Sequence, residues 1–155
     1  MACSIRRIAV AAVLSFGFVL PAGADEHASH SAAAGLQLDQ GKKWPTDAPL
    51  RAGMANMRTA LAADLRAIHA DAASDAQYEA LAAKLNEEVA YVVAKCKLEP
   101  AADAQLHKVI AEILAGAEVM RGKAAGASRR SGAVRVAQVL NAYGEFFDHP
   151  RWRDL

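Results

Sequence analysis

The sequence predicts an all-α protein, an antiparallel up-down four-helix bundle that follows a cleaved signal peptide. Three observations predict it. Apolar residues recur at steps of three and four in four separate windows, turn and capping residues part those windows, and no window alternates with the period of a strand. Composition agrees: hydrophobic residues make up 54% of 155 residues and aromatics only 6%. Much of the apolar share is alanine, the strongest helix former. The length suits one domain.

Residues 1–24 read as a secretory signal. Arg6 and Arg7 form a positive start, residues 8–20 are an apolar run too short for a comfortable membrane span, and Pro21 and Gly23 break it. Ala22-Gly23-Ala24 is a small-x-small cleavage site, so cutting is expected after Ala24, with a periplasmic product and no membrane attachment. Cys3 precedes the apolar run and is not placed as a lipoprotein cysteine. Cleavage removes two arginines and no acid, taking the formal charge from +1 to −1, too weak a field for a nucleic-acid binder. Cys96 is then the single cysteine, which leaves no internal disulfide, and no C-x-x-C-H motif is present for covalent haem.

Residues 25–45 are expected as a flexible N-terminal arm and 46–155 as the bundle. Leu36, Leu38 and Trp44 are candidates to fasten the arm. Thr46 or Asp47 should cap a first helix over about 48–70, with Pro49 in its first turn and a seam of Leu50, Met54, Met57, Leu61, Leu65 and Ile68. Ser74 to Gln77 is a capping box. The second helix follows to about 97, with Tyr78, Leu81, Leu85, Val89, Val92 and Cys96 inward. Pro100 opens a third helix over about 101–121, with Leu106, Ile110, Ile113, Ala117 and Met120 inward and Gly122 as its stop. The glycine-containing stretch 123–131 reads as a loop, and Arg129-Arg130 as a solvated basic patch within it. A fourth helix is expected over about 132–147, with Val136, Leu140, Tyr143 and Phe147 inward; His149-Pro150 ends it, and Trp152 folds the tail back. Short turns oblige such helices to lie antiparallel.

Two groups of residues carry candidate chemistry. Cleavage after Ala24 would expose Asp25-Glu26-His27. A free amine, two amide nitrogens and an imidazole in third place supply four nitrogens in one plane, a site that suits Cu(II) or Ni(II). His30 is close enough to add an axial or second ligand. The other group gathers at one bundle end. A rise of about 1.5 Å per residue puts Met54, Val92, His107 and Tyr143 at a similar depth, with Met57 a turn deeper and Cys96 nearer the rim. Thioethers, a thiol and an imidazole would suit Cu(I). His69 and His149 are expected at the surface and in the tail. No hydrolytic triad, phosphate loop or di-iron pattern is present: neither Glu112 nor Glu118 has a histidine three residues on. A non-enzymatic protein is expected.

The stretch from Asp47 through Pro49, Arg51 and Met54 to Met57 resembles the opening helix of the soluble periplasmic cytochrome b-562 type, and Asn141-Ala142-Tyr143 resembles the approach to that family's second haem ligand. The resemblance implies a periplasmic four-helix bundle and makes Met54 the match to the first haem ligand. The last-helix histidine position holds Gly144, and His149 comes five residues later, so normal bis-ligated haem b is not implied. The leading expectation is a periplasmic copper-handling bundle, taking Cu(II) or Cu(I). A haem-binding or electron-transfer bundle is the second. A metal-free module that docks on a periplasmic protein through Trp44 and Trp152 is the third.

Overall fold

The computed structural model describes residues 35–155. The expected signal 1–24, and with it Asp25, Glu26, His27 and His30, lie outside the described residues. Four helices follow in order: α1 (Ala48–His69), α2 (Asp75–Lys95), α3 (Pro100–Met120) and α4 (Arg129–Phe146). Among the described residues there is no strand, only two isolated bridges.

The helix starts follow local chemistry. Asp47 caps α1 by accepting from the Leu50 amide at 2.8 Å. Ser74 and Gln77 form the full reciprocal box at α2. Pro100 stands in the first turn of α3, where its missing N–H is not needed. At α4 the structure departs from expectation: Ser128 is the cap, accepting from the Ser131 amide at 3.1 Å, and the helix begins at Arg129. The apolar seam starts a turn later, so periodicity alone misses this first polar turn.

The two arginines of that turn are not a solvated patch. Arg129 donates to the last carbonyl of α3, Met120 O, at 2.6 Å and pairs with Asp75 and Glu79 of α2. Arg130 donates to Ile68 O at the end of α1, at 3.0 Å. They thereby satisfy carbonyls that helix ends leave without partners. The same contacts fix the direction of the chain. The start of α4 meets the ends of α1 and α3 and the start of α2, while Asp47 at the start of α1 accepts from Lys97 N just beyond α2 at 2.6 Å. The helices run up, down, up and down. Each packs on its neighbour in sequence, and α1 closes the ring against α4.

The interior is apolar. Leu50, Met54, Met57, Leu61, Leu85, Ile113, Met120, Leu140, Tyr143 and Phe147 are all completely buried. The buried acid Glu88 is satisfied by Lys84 at 2.9 Å and Asn56 at 3.1 Å. The helices α3 and α4 approach most closely, through glycines: a methyl group on Gly132 would stand 2.5 Å from Gly116 O and 2.8 Å from Met120 N. Both are backbone atoms that cannot swing aside. Gly132→Ala is therefore expected to destabilise the bundle by about 1–3 kcal/mol, the ordinary cost of overpacking. A thermal melt checks this; an unchanged or raised Tm would show that the two helices are not held at this separation.

Candidate functional site

The bundle end that carries the start of α1 and the end of α4 holds most of the chemically distinctive side chains. Residues 35–47 cross it as a strap. Leu36 is buried, Gln37 N donates to Gln105 Oε1 at 3.1 Å, and Lys108 Nζ donates to Gly35 O. Asp39 and Lys42 exchange backbone hydrogen bonds at 2.8 Å across a two-residue turn. Gln40 and Gly41 take φ of 49° and 84° there, the mirror-image geometry that tight hairpins favour. The Trp44 indole donates to Gln37 O at 2.6 Å. The backbone of Trp44 pairs with α4, giving to Phe146 O and receiving from Asp148 N, both at 2.8 Å. The part of the expected flexible arm that the structure describes is thus tied down, by Leu36 and Trp44 and not by Leu38, which is 41% exposed.

The tail covers the same end from the other side. Trp152 N donates to His149 O at 3.0 Å, closing a turn with Pro150 in second place and Arg151, at φ 65°, in third. The turn lays the Trp152 indole on Gly144: a methyl group there would lie 2.5 Å from Nε1. Gly144 is the residue that leaves room for this ring. Tyr143 stacks on Phe147 with centroids 5.0 Å apart and meets Trp152 edge-on at 5.0 Å. Its hydroxyl, buried and held well above the usual phenol range by desolvation, lies 3.1 Å from His149 Nδ1. The Trp152 indole N–H is buried without a partner.

Asp47 organises the rim. Besides capping α1 and receiving Lys97 N, its carboxylate lies beside the Cys96 thiol. Burial first, then the neighbouring Asp47 charge, push that thiol up to about 11, so it stays protonated at neutral pH.

These positions divide the expected Cu(I) set. Met54 and Met57 are sealed in the core, whereas His107 stands outside on α3 with 67% of its side chain exposed, 3.3 Å from the Asp103 carboxylate. Leu106 takes the inward place, and one residue step turns the helix about 100° away. His107 is therefore not brought to the methionines. His69 is exposed, as expected. Among the described residues no group of three or more His, Cys, Asp or Glu side chains is arranged to hold a metal ion.

The residues present do not fit a haem held between α1 and α4. Met54 has no open face, and the space beside Gly144, where the resemblance places the second ligand, is taken by the Trp152 indole. Trp44 and Trp152, expected to fasten the arm and fold back the tail and named as candidate docking anchors, are both half-buried against the bundle. Sequence reasoning missed the Gly144–Trp152 fit; its one signal was a glycine on a helical seam with a tryptophan eight residues on. No described helix is long and apolar enough to cross a membrane. Comparison with protein-family models, curated proteins and solved structures gives no match.

Two outcomes follow from this geometry. Gly144→Ala in a Trp44→Phe background should expel the indole and shift its fluorescence to the red; unchanged emission would show that the ring does not rest on Gly144. His149 is held below its ordinary value by burial and then by Arg51. Arg58, Arg151 and Arg153 line the pocket it faces, with Tyr143 and Trp152 against its ring. Its folded state favours the neutral ring, so this contribution is complete above about pH 6.5 and fades as pH falls through the lowered folded value. Thermal melts from pH 7.5 to 5 should show a loss of Tm that His149→Gln reduces; identical slopes would contradict this.

Proposed function

We propose that this chain is an exported, non-enzymatic copper-handling protein, a packed bundle that carries a Cu(II) site at its processed amino terminus. The carrying observation is His27 in third place after the expected cleavage at Ala24. The Asp25 amine, the Glu26 and His27 amides and the His27 imidazole supply the planar nitrogen set, and His30 is available as a further ligand. The amides must lose protons, so affinity falls in acid.

The layout of the bundle supports this reading. Residues 25–34 join the described chain at Gly35, whose carbonyl Lys108 holds on α3. The described core offers no rival set of ligands: its methionines are sealed and the Cys96 thiol stays protonated. Copper held on a terminal segment can pass to a periplasmic partner without opening the fold.

The test uses the mature protein, with its terminus read by mass. Cu(II) titration should give one equivalent with the visible band of planar nitrogen coordination, and one residue inserted before Asp25 should abolish it. Equal binding by both forms, no binding by either, or a terminus other than Asp25 would overturn the proposal.

A further inference from the structure

Beside the Trp152 turn, between α1 and the tail, lies a pocket of about 170 Å³. Arg58 and Thr59 line it from α1; His149, Arg151, Trp152 and Arg153 line it from the tail. No carboxylate is among its lining residues. Elsewhere among the described residues, Arg121 pairs with Glu118 at 2.9 Å, Arg129 with Asp75 at 3.2 Å and Arg135 with Glu112 at 2.7 Å, while Arg51, Arg66 and Arg130 stand apart from acids but are not gathered in one pocket. Among the described residues none of Arg58, Arg151 and Arg153 has an acid within ion-pair distance, although the three share one pocket.

Two features bear on what these cations are for. Arg58 is fixed by main-chain carbonyls, giving Nε–H to Arg153 O and Nη2–H to Asp154 O at 2.9 Å. Those bonds orient the guanidinium without neutralising it. Arg151 stands at φ 65°, a turn position that glycine occupies without strain, and it is exposed. The indole supplies an apolar wall, which strengthens electrostatic attraction at its edge. Guanidinium forks match tetrahedral oxyanions, with two N–H groups facing two oxygens.

We propose that this pocket binds a small free oxyanion of the phosphate class, carrying at least two negative charges, with Arg58, Arg151 and Arg153 as its counter-charges and Thr59 as a hydroxyl donor. The site is independent of the copper reading, since its residues belong to α1 and the tail.

The test is calorimetric titration of the mature protein with inorganic phosphate at constant ionic strength set by sodium chloride, paired with thermal melts. Wild type should bind one phosphate saturably and gain Tm with it. Arg151→Gly should bind at least about tenfold more weakly, the worth of one charge-assisted contact, while its Tm without phosphate is unchanged or higher because the turn is relieved. Arg153→Ser should weaken binding likewise. Heats that vanish when ionic strength is held constant, or Arg151→Gly binding as tightly as wild type, would overturn the proposal.

Discussion

The indole of Trp152 rests on the bare backbone of Gly144, and the whole end of the bundle is arranged around that contact. A side chain of any size on Gly144 would push the ring away, and without the ring the turn at His149–Trp152 would lose its apolar anchor. Burying part of this large aromatic ring contributes to holding the tail in place. Once the tail is down, His149 Nδ1 meets the buried Tyr143 hydroxyl, Leu155 N meets Asn141, and Asp148 N is placed to bond Trp44 O. Strap and tail thus lock each other. The indole N–H left without a partner shows that shape, more than hydrogen bonding, positions the ring.

The opposite end is closed by charge. Arg129 and Arg130 reach from the first turn of α4 to the last carbonyls of α3 and α1, and Arg129 also binds two acids of α2. One residue thereby ties α4 to the end of α3 and the start of α2. Between the two ends, Gly116 and Gly132 bring α3 and α4 together so closely that neither position has room for a side chain. Ligand chemistry is left to the surface and the termini.

How far the sequence reveals this can be seen residue by residue. The seams were legible because each inward position is apolar at helical spacing: Leu50, Met54, Met57 and Leu61 all lie in the core as their period requires. The Ser74 box was legible because capping is local chemistry. The start of α4 was not, because Arg129 and Arg130 are polar and their carbonyl partners come from distant turns. The outward direction of His107 was not fixed by its depth, because an estimate of depth along a helix says nothing of rotation about it. Gly144 read as a missing ligand, and only three-dimensional packing shows it as a space that Trp152 fills. The convergence of Arg58 with Arg151 and Arg153 likewise depends on a fold-back that no local pattern encodes.

The contact between Trp152 and Gly144 can be observed directly by NMR on the mature protein. Nuclear Overhauser effects between the Trp152 ring protons and the Gly144 α-protons are expected, together with upfield displacement of those α-protons by the ring current. Their absence, with Gly144 resonances at ordinary helical positions, would mean that the tail does not seal the bundle and would reopen its core to a cofactor.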